Sequence, residues 1–215
     1  MNRTRTAGIL GGMGGLATIT FYKELLQAQQ VKTEQEYLDA IIYSKTSIPD
    51  RTRFILDATQ PDPTPALVDG AVKLAQAGVD FIAIPCVTAH YFYPQIAQAV
   101  EIPVVNLLEE IAQHVQGYKS VGLLATTGTL ESRILHQVLD GVQVVTPVNQ
   151  GAIMDYIYAI KKGEHPPQPR LEWDIPTLLG CSELSTAHWP GEVIDPMELL
   201  AQACLRFANC EFTGG

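Results

Sequence analysis

The sequence predicts an α/β fold of two similar lobes, with mainly parallel sheets and a cleft between the lobes. Short apolar runs alternate with helical periodicity along the chain, which is typical of parallel strands joined by helical crossovers. The run Gly8-Ile9-Leu10, with its glycine loop and helix, is echoed by Gly122-Leu123-Leu124. Each half then carries one apolar run that ends in a cysteine. We therefore expect lobes at 1–100 and 101–215.

The first half predicts three strands separated by helices. Apolar runs at 7–10, 39–43 and 81–84 predict the strands. A glycine-rich loop follows the first of them, where backbone N–H groups can approach a ligand closely. Helical patterns cover 16–30, 51–58, 66–77 and 89–100, and Gly78 ends the third of them.

The second half repeats this alternation with one interruption. Strands are predicted at 120–125, at 142–146 and before the second cysteine, and helices at 107–115, 130–139, 149–161 and 197–207. The segment 164–176 contains four prolines, which exclude a normal helix. It predicts a proline-rich turn, with Pro176 at an edge or at the start of the next strand. The sequence leaves open whether the last helix packs back on the first lobe.

Composition excludes several classes of protein. The chain has 215 residues, of which 47% are hydrophobic and 17% charged, so a substantial core is available. The net charge of −9 argues against a nucleic-acid partner, because a phosphate backbone requires a basic face. The sequence contains no run of about 18 apolar residues, so no membrane span is predicted. A start without a signal-peptide pattern and four cysteines without CxxC spacing predict a cytoplasmic protein with reduced thiols.

Two cysteines are the candidate reactive groups. Cys86 and Cys181 each end a predicted strand, at the edge of a sheet where open α/β folds place their chemistry. Backbone N–H groups of the helix expected after Cys86 favour its thiolate. A buried cysteine is otherwise a small apolar filler, which is how we interpret Cys204 and Cys210.

A pair of opposed thiols can invert a stereocentre without a cofactor. One sulfur, as thiolate, removes a proton from carbon, and the other, as thiol, donates a proton to the opposite face. The site must also stabilise the charge that develops, with donors already in place. Such donors are available as hydroxyls at the predicted strand ends, namely Thr88, Thr126, Thr127, Thr129 and Ser182. The threonines at 126–129 are alternatively turn formers only.

Six motifs in order carry a family resemblance over almost the whole length. They are Gly-Ile-Leu-Gly-Gly-Met-Gly (8–14), Ile-Pro-Asp-Arg-Thr (48–52), Ile-Pro-Cys-Val-Thr-Ala-His-Tyr (84–91), Gly-Leu-Leu-Ala-Thr-Thr-Gly-Thr (122–129), Ile-Tyr-Ala-Ile-Lys-Lys-Gly (157–163) and Leu-Gly-Cys-Ser-Glu-Leu (179–184). With these motifs the chain resembles the aspartate/glutamate racemase family, the cofactor-independent racemases of acidic amino acids.

The resemblance implies two Rossmann-like lobes, an active site between them, no cofactor and a homodimer. It implies an acidic amino acid as substrate, with aspartate favoured over glutamate. Cys86 and Cys181 match the two catalytic acid/bases of the family. The residues expected around the substrate, from the motifs and the strand-end hydroxyls together, are Met13, Arg51, Val87, Thr88, Thr126, Thr127, Thr129, Lys161, Ser182 and Glu183.

Three departures from the family pattern bear on activity. Val87 replaces an asparagine whose amide helps to hold the substrate α-carboxylate, a loss worth about 1–3 kcal/mol. Ser182 replaces a threonine and keeps the hydroxyl. The segment 164–176 resembles a deletion of a helix that precedes the second cysteine in the family.

Four residue assignments have alternatives. Arg51 binds a substrate carboxylate or forms a surface salt bridge. Either Lys161 or its neighbour Lys162 points inward. Glu183 either polarises Cys181 or favours a helix N-terminus electrostatically. His90 is expected to make a structural hydrogen bond rather than act in catalysis.

Three other functions remain open from the sequence. The first is a racemase-like scaffold that binds an acidic metabolite without turnover. The second is a sister isomerase or decarboxylase of a small dicarboxylate. The third is an NAD-dependent oxidoreductase, because 12–17 fits a loose dinucleotide motif. The second strand, however, ends at Tyr43-Ser44-Lys45 without the acidic residue that binds a ribose.

Overall fold

The computed structural model describes residues 5–209 and shows an α/β fold with two parallel sheets. The first sheet has the order β2-β1-β3 and the second the order β5-β4-β6-β7. The strands are β1 (Thr6–Gly11), β2 (Asp39–Ser44), β3 (Phe81–Ala83), β4 (Ser120–Ala125), β5 (Gln143–Val145), β6 (Thr177–Gly180) and β7 (Val193–Ile194). Every neighbouring pair is parallel, so the predicted fold class is confirmed.

Helices connect the strands throughout. The α-helices are α1 (Gly15–Gln27), α2 (Arg51–Leu56), α3 (Thr64–Gln76), α4 (Tyr93–Gln98), α5 (Leu107–His114), α6 (Thr127–Glu131), α7 (Ile134–Val138), α8 (Gln150–Lys161) and α9 (Pro196–Asn209). Short 3₁₀ helices occupy Glu34–Glu36, Val87–Phe92 and Ser182–Thr186. Within residues 5–209, no helix is long and apolar enough to cross a membrane.

Two predicted helices differ from the structure. The helix expected at 89–100 is a 3₁₀ helix followed by α4, whose first turn contains Pro94. Proline has no N–H to donate and is tolerated only at the start of a helix. The helix expected at 130–139 is divided into α6 and α7 at Arg133, which has a left-handed φ of 56°. The Ser132 hydroxyl bonds back to the Thr129 carbonyl at this break.

A single hydrophobic cluster crosses both sheets. It runs from Phe21 and Leu25 of α1 to Met197 and Leu200 of α9, and it includes the central strands β1 and β4. Such strands are buried on both faces, which explains why they read as continuous apolar runs. Helix α9 therefore packs back against the first lobe, an option that the sequence had left open. The boundary near residue 100 stays a prediction.

The segment 164–176 contains neither helix nor strand, and one of its side chains covers the sheet. A Cβ at Gly122 in β4 would lie 2.1 Å from the ring of Trp173. The Trp173 indole N–H donates to the Thr177 hydroxyl at 3.0 Å. Pro176 directly precedes β6, which lies between β4 and β7. Of the two predicted positions for this proline, the strand start is correct and the edge is not.

Candidate active site

The two candidate cysteines occupy equivalent positions in the two lobes. Cys86 follows β3 and Cys181 follows β6, and each is the extended residue that begins a 3₁₀ helix. Both lie at the carboxyl ends of their parallel sheets, as predicted. They are buried, with exposed fractions of 5% and 3%. The thiols are therefore shielded from bulk water in this conformation.

The thiol of Cys181 is held in its protonated form. Its sulfur donates a hydrogen bond to Glu183 Oε2 at 2.9 Å. Burial raises the pKa of Cys181 well above its usual value, and the negative charge of Glu183 raises it further. Both positions considered for Glu183 are compatible with the structure, since it contacts Cys181 and also lies in the first turn of the 3₁₀ helix Ser182–Thr186. Glu183 thus fixes Cys181 as a proton donor in this state.

Three of the predicted threonines form a buried cluster of hydroxyls across the two lobes. Thr88 Oγ1 lies 3.1 Å from Thr126 Oγ1 and 2.9 Å from Thr129 Oγ1, and the last two are 3.0 Å apart. Thr127 stays outside this cluster, because its hydroxyl faces Gln150 of α8 at 3.4 Å. The Thr126 side chain also caps α6 by accepting from the Thr129 N–H. Capping and interlobe contact are therefore combined in the same hydroxyls.

Lys161, at the end of α8, is the inward-facing lysine, whereas Lys162 is exposed. Its Nζ lies 3.9 Å from Glu183 Oε1. Burial alone would favour the neutral amine, but the negative charge of Glu183, together with the thiolate forms of Cys181 and Cys86, outweighs burial and the opposing charge of Arg51. The pKa of Lys161 is consequently raised above its usual value. This one ammonium group therefore lies within electrostatic range of both candidate sulfurs.

Arg51 is buried, with 7% of its surface exposed, so the surface salt bridge considered from the sequence is wrong. Its two terminal nitrogens donate to backbone carbonyls, at 3.0 Å to Pro49 and 2.9 Å to Met13. Among residues 5–209, its Nε has no hydrogen-bond partner. The Met13 side chain packs in a buried cluster together with Cys86. These contacts engage two of the five guanidinium N–H groups of Arg51, and each terminal nitrogen keeps a second hydrogen.

An interlobe hydrogen bond joins two residues that the sequence interpretation did not single out. Tyr158 of α8 donates its hydroxyl to Asp50 Oδ2 at 3.1 Å, and Asp50 caps α2 by accepting from the Arg53 N–H. Burial opposes ionisation of Asp50, but this N–H, Lys161 and Arg51 hold its pKa below the usual value. Tyr158 precedes Lys161 by three residues and therefore shares its helix face, a signal present in the sequence.

The remaining predicted residues flank the cysteines. The Val87 side chain, 1% exposed, packs in the cluster that contains Ile9 and Phe81. Ser182 is buried, and its Oγ lies 3.5 Å from Glu183 Oε2. His90 Nδ1 donates to the Cys86 carbonyl at 2.9 Å, the structural hydrogen bond expected for this residue. Burial lowers the pKa of His90, so the neutral imidazole is favoured.

The glycine loop after β1 is bonded internally. The Thr18 hydroxyl accepts from the Gly12 N–H at 3.0 Å and donates to the Gly14 carbonyl at 2.8 Å. Nothing in this pattern favours the dinucleotide interpretation of 12–17. In the described part of the chain, no group of three or more His, Cys, Asp or Glu side chains could hold a metal ion.

Comparison with known proteins decides the family. The profile of the Asp/Glu/Hydantoin racemase family matches residues 10–171. The chain belongs to this family. The matched range contains Cys86 and ends before Cys181, so the second cysteine rests on the structure and on the motif at 179–184. The family resemblance drawn from the sequence is confirmed, and with it the enzyme class, a racemase.

Individual relatives agree with this assignment. The chain is 34% identical over 176 residues to the broad specificity amino-acid racemase RacX of Bacillus subtilis (strain 168), covering 77% of this chain and 75% of that protein. The aspartate racemase of Picrophilus torridus superposes with a TM-score of 0.84 at 25% identity, over 97% and 96% of the two chains. A glutamate racemase of Thermus thermophilus superposes with a TM-score of 0.59 at 20% identity, over 94% and 80%, and shows the shared fold.

Proposed function

We propose that this member of the family racemises an acidic amino acid, with aspartate favoured over glutamate, by a two-cysteine acid/base mechanism without a cofactor. One observation carries the proposal. The ammonium group of Lys161, whose side chain is 20% exposed, has Cys86, Cys181 and Glu183 as electrostatic neighbours. A cation in the neighbourhood of both thiols is suited to hold an anionic substrate there.

The protonation of the site assigns a direction to the first turnover. The Cys181 thiol is protonated and donates its hydrogen bond to Glu183. Cys86, as thiolate, removes the Cα proton, and Cys181 donates its own proton to the opposite face of the same carbon. Negative charge develops on the substrate α-carboxylate, which the hydroxyls of Thr88 and Thr129 stabilise. The protonated Cys86 and deprotonated Cys181 then serve the reverse reaction.

A substrate side-chain carboxylate can be received by two cations. Lys161 supplies a charged amine that is 20% exposed, and Arg51 supplies its unpartnered Nε. The similarity to the Picrophilus torridus enzyme, an aspartate racemase by its name, supports this choice of substrate. The short distance from Cα to the side-chain carboxylate in aspartate suits a site this closely packed.

A broader substrate range is the second candidate, and one observation favours it. Two of the five guanidinium N–H groups of Arg51 already donate to backbone carbonyls, so fewer donors remain for a substrate carboxylate. The relative from Bacillus subtilis is a broad specificity amino-acid racemase by its name. An arginine partly engaged by the backbone would discriminate less strongly between side chains.

The proposal includes a cellular location and an oligomeric state, and it has three competing functions. We place it in the cytoplasm and expect a homodimer of the 23.5 kDa chain, which sedimentation velocity would detect. A scaffold that binds without turnover, a dicarboxylate isomerase or decarboxylase and an NAD-dependent oxidoreductase are the competing functions. The family assignment supports a racemase over the last of these.

Chiral chromatography tests the proposal directly. The enzyme is incubated separately with the L-enantiomers of aspartate, glutamate, alanine and lysine, without added cofactor. We expect the D-enantiomer to form fastest from aspartate. Comparable rates with all four amino acids would favour the broad range. Binding of aspartate without any D-product would favour the scaffold, and loss of a carboxyl group would favour a decarboxylase.

A further inference from the structure

The two oxygens of the Glu183 carboxylate have different surroundings. Oε2 accepts the hydrogen bond from the Cys181 thiol at 2.9 Å. Oε1 has no hydrogen-bond partner among residues 5–209, although Glu183 is only 2% exposed. The ammonium group of Lys161 is 3.9 Å from Oε1, which is beyond hydrogen-bond length. One oxygen of this buried carboxylate is therefore hydrogen-bonded to a thiol, and the other has only the longer ion-pair contact with Lys161.

A buried, charged oxygen without a donor is costly, so Oε1 requires a partner that brings N–H groups and positive charge. The start of α1 packs closely beside this oxygen. A Cβ added at Gly14 would lie 2.9 Å from Oε1, so a larger residue there would displace the carboxylate. Glycine at this position thus preserves the orientation of Oε1, which is closed to solvent in this conformation.

We propose that Glu183 Oε1 binds the α-ammonium group of the substrate while Oε2 holds the Cys181 thiol, a contact that rests on the proposed function. The ammonium nitrogen is one bond from Cα, and the two oxygens belong to one carboxylate. Binding the nitrogen at Oε1 therefore places Cα beside the sulfur that donates its proton. Glu183 becomes a specificity-determining residue as well as a positioning residue for Cys181.

The contact makes a free amino group a condition for binding. A dicarboxylate without the ammonium group would engage Lys161 but leave Oε1 unsatisfied. An N-acylated amino acid would lack the charge and present a bulky substituent toward Gly14. The site should therefore select α-amino acids over the corresponding 2-hydroxy acids, diacids and N-acyl derivatives, independently of the side chain it prefers.

Titration calorimetry on the full-length enzyme tests the contact. DL-aspartate is the probe, because a racemic ligand gives no net heat of conversion, and succinate is the matched ligand with both carboxylates and no ammonium group. In Glu183→Gln, which keeps the shape and an acceptor for the thiol, affinity for DL-aspartate should fall at least about tenfold. Affinity for succinate should stay within about threefold or rise.

Equal losses for both ligands, or no loss for aspartate, would overturn the contact. The wild-type enzyme supplies a test that does not depend on folding of the variant. It should bind DL-aspartate at least about tenfold more tightly than succinate or N-acetyl-DL-aspartate, and an affinity no higher than theirs would also overturn the contact. These binding results are independent of racemisation, so failure of the proposed reaction is recognised separately by chiral chromatography.

Discussion

At the scale of single residues, the two cysteines are the proposed acid and base, and substitution of Cys86 is the sharper test. Replacing Cys86 by alanine removes the group proposed to take the Cα proton. The turnover number should fall by at least about a thousandfold, because general acid–base groups contribute roughly 10²–10⁴. Racemisation of aspartate, followed by circular dichroism, measures the effect.

Cys204→Ala is the matched control for that substitution. Cys204 is fully buried in α9, and burial raises its pKa to about 12, so it is an inert thiol. Its loss should leave the turnover number within about twofold of wild type. Retention of wild-type turnover in Cys86→Ala would remove this residue from the mechanism.

Asp195 gives the protein a pH dependence of stability. Its Oδ1 accepts from the Ser185 hydroxyl at 2.7 Å and from the Met197 N–H at 2.8 Å, which ties the segment after Cys181 to the start of α9. Burial raises the pKa of Asp195 from its usual 3.8 to about 6. The folded protein thus holds this proton more tightly than the unfolded chain. The contribution is complete below pH 4 and is lost as the pH rises through 6.

Asp195→Asn should reveal this contribution. Asparagine keeps an acceptor for both donors but does not ionise. The free energy of unfolding of the variant, relative to wild type, should therefore increase by about 1–2 kcal/mol between pH 5 and pH 8. Urea unfolding at the two pH values measures it. A difference that stays constant, or that decreases with pH, would show that Asp195 does not titrate as described.

The sequence predicted the position of both cysteines, because a buried apolar run that ends in a thiol marks the carboxyl end of a strand. It did not decide the role of Glu183, which depends on a side-chain rotamer. It also did not show that Arg51 donates to the carbonyls of Pro49 and Met13, since Met13 lies 38 residues away in the chain. Such contacts follow from tertiary packing rather than from local pattern.

At the scale of elements, the hydrogen bond between Tyr158 and Asp50 links α8 to the start of α2. Tyr158→Phe removes the hydroxyl and leaves the ring, over which Lys161 Nζ lies at 5.3 Å. We expect the KM for aspartate to rise about three- to tenfold with a smaller change in kcat, because the loss of about 1 kcal/mol loosens the two walls of the site. Steady-state kinetics measures both parameters.

Tyr156→Phe on the same helix is the control. The Tyr156 ring packs edge-on against Trp189 at 5.9 Å, away from Asp50. Its substitution should leave the KM unchanged within error. Equal effects of the two substitutions would mean that Tyr158 contributes only general packing of α8.

The proline-rich segment stabilises the second sheet through Trp173. Gly122→Ala would place a methyl group inside the Trp173 ring position and displace the ring from β4. The free energy of unfolding should fall by about 1–3 kcal/mol, the usual cost of overpacking. Gly151→Ala in α8, where a Cβ meets its nearest atom at 3.4 Å, should change it by less than about 0.5 kcal/mol or raise it. Equal, small effects on thermal unfolding would contradict the contact with Trp173.

The central strands β1 and β4 were the elements best predicted, since burial on both faces produces a continuous apolar run in the sequence. The division at Arg133 was not predictable, because a left-handed non-glycine residue has no clear local pattern. The packing of Trp173 over Gly122 was likewise not predictable, since the two residues are about fifty positions apart and Trp173 lies in an irregular segment.

At the scale of the whole molecule, one hydrophobic cluster spans both sheets, and the proposed site draws residues from each lobe. Helix α9 closes the chain on α1 of the first lobe, and the threonine cluster and the bond between Tyr158 and Asp50 join the lobes around the cysteines. The family assignment explains this arrangement as a common scaffold. The packing of α9 against α1 could not be predicted from sequence, because an apolar helix face can pack against any apolar surface of similar size.

The central claim is that Cys86 and Cys181 act on opposite faces of one carbon, and the isotope distribution at early conversion tests it most directly. L-Aspartate is incubated with the wild-type enzyme in deuterated water, and the reaction is stopped early. The enantiomers are then separated, and the deuterium content of each is measured by mass spectrometry. The account predicts deuterium at Cα of the D-aspartate formed and protium in the remaining L-aspartate. Protium carried over into D-aspartate, or deuterium in the remaining L-aspartate at the rate of product formation, would contradict it.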